Sequence, residues 1–216
     1  MARSDVQLML DVKSGDDSSF ELLLRKYRTP VVNFLYRMVR NTAAAEDLAQ
    51  EVFLRVYRAR GQYLPTAKFT TWMFRIATNL ALNALRDGRY RQQEVSIDRS
   101  AFDRSADGES EQPALEIADR QPSIEMELIR RDRAEQIRRA VEALPEKQRA
   151  AVLLHKYQEM DYDEIAGVLG CSESALKSLL FRAYETLRME LAPLVRAAQV
   201  QEGGRERALF FDQHGL

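Results

Sequence analysis

Asp161–Arg188 reads DYDEIAGVLGCSESALKSLLFRAYETLR, and its punctuation spells two short helices around a tight turn. Asp161 suits a helix start, and Glu164 three residues later completes a capping box. Ile165, Ala166 and Leu169 give the first helix an inner face, with Ala166 small enough to admit a close neighbour. Gly170 supplies the positive φ that ends a helix abruptly. Ser172 caps a second helix whose Leu176, Leu180, Ala183 and Leu187 recur at helical spacing. Its other face carries Ser174, Lys177, Ser178, Phe181 and Arg182. This pattern predicts a helix-turn-helix, whose second helix fits a DNA major groove. A plain helical hairpin with solvated cations lacks any need for the two caps, Ala166 and Gly170 together.

Outward from this segment the chain continues to read as helices. Upstream, Glu146–Tyr157 forms one, and Ser123 caps another from Ile124 to Leu144, closed by Pro145. The N-terminal block offers Val6–Val12, then a long helix from Phe20 to Val39, capped by Asp17 or Ser18. Leu23, Leu24, Tyr27, Val31, Phe34, Leu35 and Met38 are its predicted inner face, and Pro30 predicts a kink. Asn41 or Thr42 caps Ala43–Arg60, which Gly61 ends, and a further helix spans Thr70 to about Arg86. Between Val95 and Pro122 periodicity vanishes into an acidic, turn-rich stretch that suits a flexible linker. The expected fold is all-α: two small helical domains at 1–91 and 123–191, joined by an acidic linker at 92–122. A C-terminal extension at 192–216, including ALFFDQHGL as a separate short element, has no assigned role.

The net charge of −1 conceals three unlike blocks. Residues 1–91 hold 15 Lys/Arg against 9 Asp/Glu, residues 92–127 hold 3 against 10, and residues 128–216 hold 14 against 14. The basic first block is the better match to a polyanion. No apolar run approaches the ~20 residues of a membrane span, and the N-terminal MARSDVQLML does not form a signal peptide. One cysteine, Cys171, forbids an internal disulfide and fits the cytoplasm; a buried apolar place in the turn suits it better than redox sensing. With His155 and His214 far apart, no metal-ligand spacing exists. The sequence therefore calls for no metal, no cofactor and no catalytic residue.

Two N-terminal segments mix residue types that ordinary helices do not need. Ala43–Ala59 sets Leu48, Val52, Val56 and Ala59 on one side and Asp47, Gln50, Glu51 and Leu54 on another; a partner surface and a solvated face both fit. Lys68–Arg91 combines Lys68, Phe69, Thr71, Trp72, Arg75, Asn79, Asn83, Arg86 and Arg89. Such aromatics, amides and cations can line a single-stranded nucleic-acid surface, where stacking is worth ~1–3 kcal/mol per base. Trp72, Phe74 and Ile76 also fit a core, whereas Asn79 and Asn83, one turn apart, are suited to reading base edges.

Taken in order, these parts resemble a bacterial RNA polymerase sigma factor of the extracytoplasmic-function group of the sigma-70 family. AEDLAQEVFLRVYRA is similar to that family's core-binding helix, FTTWMFRIATNLALNALR to its promoter-melting and −10-reading segment, and LPEKQRAAVLLHKYQEMDYDEIAGVLGCSESALKSLLFRAYETLR to its −35-binding domain. The resemblance covers about Phe20–Arg91 and Arg133–Arg188. It implies that Asp47, Leu48, Gln50, Glu51 and Phe53 hold the clamp coiled coil of the polymerase large subunit. It implies that Asn79 and Asn83, with Lys68, Phe69, Thr71 and Trp72, hold flipped −10 bases while Arg86 and Arg89 touch phosphate. Ser174, Lys177, Ser178, Phe181 and Arg182 would face the −35 major groove, with Arg149 a further phosphate contact. Promoter DNA, core polymerase and an anti-sigma factor are the implied partners, and the action is initiation without bond chemistry. The competing expectation is an autonomous helix-turn-helix regulator that never engages polymerase. One departure from the family pattern bears on specificity: Leu179 stands where a cation is common, and leucine cannot donate to guanine.

Overall fold

The computed structural model describes residues 3–88 and 124–213, with side chains at 3–88 and 128–194. Eight α-helices are found there: α1 (Asp5–Lys13), α2 (Asp17–Val39), α3 (Thr42–Arg58), α4 (Phe69–Arg86), α5 (Ile124–Ala143), α6 (Glu146–Tyr157), α7 (Tyr162–Leu169) and α8 (Glu173–Gln213). A single 3-10 turn at Arg60–Gln62 follows α3, and no strand occurs among the described residues. The all-α expectation holds.

Local chemistry places most helix ends. Asn41 caps α3, its side chain accepting from the Ala44 N–H at 2.8 Å. At α2 the cap is Asp16, one residue before those expected, because its carboxylate reaches both Ser18 N–H (3.0 Å) and the Ser19 hydroxyl (2.7 Å). The Ser18 hydroxyl, which also donates to this carboxylate at 2.6 Å, and then the Ser19 hydroxyl hold the Asp16 carboxyl below its usual range. Arg40 ends α2 in the left-handed region at φ 59°. The helix runs through Pro30 as one element. Asp5 ties α1 to α2 by accepting from the Tyr27 hydroxyl at 2.5 Å and from Lys26 at 2.7 Å.

The core of the first four helices is made of Leu23, Val31, Phe34, Leu35 and Met38 from α2, Val52 and Val56 from α3, and Met73, Phe74, Ala77 and Ala81 from α4, all 1% exposed or less. Phe34 and Phe74 meet edge to face with ring centroids 5.4 Å apart. Leu24 departs from the expected inner face and is 37% exposed. It lies one residue past Leu23, so the turn of the helix carries it off the buried stripe.

Two compact units divide the chain, and they cut across the expected segment boundaries. One contains α1–α4 together with α6, α7 and α8 as far as Leu180; the other contains α5 with α8 from Phe181. Within the first unit, α6 packs on α2 and α4 as well as on α7. The reason is in its sequence: Ala150, Ala151, Val152, Leu153 and Leu154 are all buried, and a helix apolar on every side must be covered on every side. The C-terminal tail is likewise not a separate element, since α8 continues through Pro193 to Gln213. Gly203-Gly204 without a left-handed cap only lowers helix propensity, which an Ala-, Leu-, Glu- and Arg-rich context offsets. Among the described residues, no helix is long and apolar enough to cross a membrane.

Replacing Asn41 by Ala should lower stability by about 1 kcal/mol in urea unfolding through loss of the α3 cap. Phe74→Ala should cost about 3–5 kcal/mol by opening a core cavity beside Phe34; a loss under about 1 kcal/mol would show that the Phe34–Phe74 contact is not central to the fold.

Candidate nucleic-acid interface

Helix α4 is buried on most of its surface, which isolates the rest as a stripe. Phe69, Thr71, Met73, Phe74, Ala77, Thr78, Leu80, Ala81 and Ala84 are all buried, while Arg75, Asn79, Asn83 and Arg86 are exposed at helical spacing. Asn83 accepts from Arg86 at 2.7 Å, which orients the amide along the helix. The stripe therefore offers two amides and two cations on one face, the chemistry for unpaired base edges flanked by phosphate. Arg89 lies outside the described residues.

The start of α4 is organised differently from expectation. Phe69 is only 1% exposed, its ring packed against Tyr27 (5.5 Å), Tyr63 (6.5 Å) and Trp72 (6.2 Å). It closes an aromatic corner and is unavailable for stacking on a base. Thr71 is buried too, and its hydroxyl donates to Glu164 of α7 at 3.2 Å. Trp72 is half-buried against Tyr63. Lys68 remains exposed, yet its ammonium lies 3.2 Å from the same Glu164. Hydrogen bonding to Glu164, then the charges of Glu164, Asp161 and Asp163, hold Lys68 above its ordinary range and so fully charged near neutrality. Sequence reading missed Glu164 as a neighbour of this site because it treated that residue only as half of a capping box.

Helices α2 and α3 line a groove of about 890 Å³. Phe20, Leu24 and Val32 of α2 face Phe53, Leu54 and Tyr57 of α3 across it, with Arg28, Glu46 and Gln50 as polar lining. Of the five candidate partner-binding residues, Asp47 and Gln50 are exposed, and Glu51 is half-buried and bonded to Arg55 at 2.6 Å. Phe53 is mostly buried but lines the groove, whereas Leu48, 8% exposed, faces the core. The contribution of α2 was missed because Leu24 was counted inward.

The helix-turn-helix forms as its sequence dictates. Both reciprocal bonds of the Asp161/Glu164 capping box are present, and Gly170 takes φ 64°. Ser172 caps α8, accepting from the Ala175 N–H at 3.2 Å. Leu176 and Leu180 are buried, at 0% and 2% exposure. Ser174, Lys177, Ser178, Phe181 and Arg182 are exposed along α8, and Phe181 at 68% is too open to be serving a core. Lys177 pairs with Glu173 one turn back at 2.6 Å. Leu179 is half-buried, so it is partly committed to packing. Cys171 is also only half-buried, more open than expected. Arg149 is not poised toward solvent: it donates to the Met38 carbonyl at 2.8 Å, satisfying one of the last carbonyls of α2. Among the described residues, no cluster of three or more His, Cys, Asp or Glu could hold a metal ion.

Comparisons with known proteins match two stretches of the chain. The family model Sigma-70 region 2 matches residues 23–91, and Sigma-70, region 4 matches residues 134–187. The RNA polymerase sigma-H factor of Pseudomonas aeruginosa is 32% identical over 196 residues, 90% of this chain and 97% of that protein. The ECF RNA polymerase sigma-E factor of Escherichia coli is 30% identical over 193 residues, 89% of this chain and 97% of that protein. Two solved structures are similar in fold. One is CnrH in complex with the cytosolic domain of CnrY, with TM-score 0.62 and 19% identity over 88% of this chain and 99% of that one. The other is the sigma factor RpoE in complex with the anti-sigma factor NepR from Bartonella quintana, with TM-score 0.54 and 21% identity over 80% and 96%.

Lys177→Ala should weaken duplex DNA binding and reduce the slope of log affinity against log salt by about one if the contact is to phosphate. An affinity loss confined to one sequence, with the slope unchanged, would reassign Lys177 to a base edge.

Proposed function

This chain belongs to the extracytoplasmic-function group of the sigma-70 family, factors that direct RNA polymerase to promoters, and we propose how its surfaces divide that task. The α2/α3 groove, with Gln50 in its lining and exposed Asp47 and half-buried Glu51 beside Gln50 on α3, receives the clamp coiled coil of the polymerase large subunit. Phe53 supplies the apolar floor, and Leu24 and Leu54, 37% and 41% exposed, flank it. Leu48 supports this surface from within the core.

The α4 stripe takes the −10 element after the duplex opens. The observation that carries this assignment is that Asn79 and Asn83 are exposed one turn apart, between exposed Arg75 and Arg86, on a helix whose opposite face is buried. Amides held so accept and donate to unpaired bases, while Arg75 and Arg86 lie along the same face for phosphate. Lys68 adds a cation at the helix start. Ser174, Lys177, Ser178, Phe181 and Arg182 read the −35 element in the major groove, where Phe181 suits a thymine methyl.

Residues 1–91 carry the −10 work and residues 123–191 the −35 work, joined along the chain by the acidic segment 92–122. The protein works by binding alone, in the cytoplasm, with no cofactor. Family membership sets aside an autonomous regulator, for which the α2/α3 groove and the amide stripe would have no purpose. An anti-sigma partner is proposed as well, because a similar fold has been solved with one in place.

Asn79→Ala should slow open-complex formation on a cognate promoter by roughly tenfold, scaled to one stacked or paired base, while polymerase affinity stays near wild type. Equal loss of both activities would contradict the assignment. Asp47→Ala combined with Gln50→Ala should lower affinity for core polymerase severalfold, by about 1 kcal/mol or more on the scale of interface anchors; unchanged affinity in a fluorescence anisotropy titration would move the interface elsewhere.

A further inference from the structure

Glu164 of α7 places a carboxylate against Thr71 and Lys68 at the start of α4. Its side chain is only 10% exposed, and both oxygens are engaged. Oε2 accepts from the Asp161 N–H at 3.1 Å, while Oε1 accepts from the Thr71 hydroxyl at 3.2 Å and lies 3.2 Å from Lys68 Nζ. A cation and a hydroxyl converging on one anionic oxygen is a phosphate-like arrangement. Asp161 and Asp163 add negative charge at the same end of α7.

Packing makes this more than a chance surface pair. At Gly167 an added Cβ would lie 3.9 Å from the Thr71 methyl, so the two helices stand within side-chain contact. Ile165 and Ala166 are buried on the same short helix. Two further ties hold the adjoining α6 to α2: Arg149 bonds the Met38 carbonyl at 2.8 Å, and the Arg37 guanidinium sits 3.7 Å over the Tyr157 ring. All these residues fall within one compact unit.

We propose that α7 is an autoinhibitory cover in the free chain, with Glu164 standing in for DNA phosphate on Lys68 and Thr71. Strand binding at the start of α4 and seating of α7 exclude one another. Asn79 and Asn83 stay exposed, so the cover closes one end of the stripe and taxes binding without abolishing it. Lys68 is 67% exposed, so solvent screens its side of the pair, which keeps the cover weak enough for a polyanion to displace. The inference rests on the reading of α4 as the −10 surface.

The test uses the full chain and a fluorescein-labelled single-stranded DNA dodecamer at fixed salt. Glu164→Gln removes the charge but retains a side chain able to serve the capping box. It should bind the strand roughly three- to tenfold tighter than wild type, because more of the chain is binding-competent, while Lys68→Ala binds more weakly. If Lys68→Ala weakens binding and Glu164→Gln leaves it unchanged or weaker, the cover is overturned and the α4 reading stands. If neither Lys68→Ala nor Asn79→Ala changes binding, the α4 reading itself fails. A second variant holds folding constant: Thr71→Cys with Gly167→Cys, in a Cys171→Ser background. Its oxidised form should bind the strand several-fold more weakly than its reduced form, with the affinity recovered on reduction; undiminished binding in the oxidised form overturns the cover.

Discussion

Phe34 and Phe74, each 1% exposed, meet edge to face at 5.4 Å, and this contact seats α4 on α2. Edge-to-face rings add about 0.5–1.5 kcal/mol beyond their area and fix relative orientation. Around them Met73, Ala77 and Ala81 leave no slack for α4 to rotate. A rotation of one residue in either direction would carry Asn79 into a buried position, where an unpaired amide is costly. The amide stripe thus points outward because the core forbids any alternative.

Charge operates within that frame and follows burial. The pairs Arg188–Glu185, Arg55–Glu51 and Lys177–Glu173 are exposed neighbours along single helices, worth a few tenths of a kcal/mol each. Glu164 differs because it is nearly enclosed and spans two helices distant in sequence. The same chemistry that lets Lys68 attract a phosphate lets it attract this carboxylate. A site built to bind a polyanion is open to imitation by the protein's own acids.

Helix existence was legible because its signals are local. Asn41, the Asp161/Glu164 box, Gly170 and Ser172 act within four residues of themselves, and each cap formed where it was read. The helix-turn-helix and the exposure of Ser174, Lys177, Ser178, Phe181 and Arg182 followed directly. What escaped were residues whose neighbours come from elsewhere in the chain. Phe69 looked like a stacking platform until Tyr27 and Tyr63 enclosed it. Arg149 looked like a phosphate contact until it met the carbonyl end of α2. The run Ala150–Leu154 did carry a readable signal, since five successive apolar residues exceed what one buried face requires.

By itself, then, the sequence determined an all-α chain with a capped helix-turn-helix and an amide-bearing basic helix. These depend on periodicity and on caps, which are properties of adjacent residues. Only the tertiary structure decided which face of α4 is free, that α2 joins α3 in the apolar groove, and that α7 lies against the start of α4. Each of these depends on contacts between residues tens of positions apart, such as Thr71 with Glu164. Spacing along one helix carries no information about which other helix will cover it.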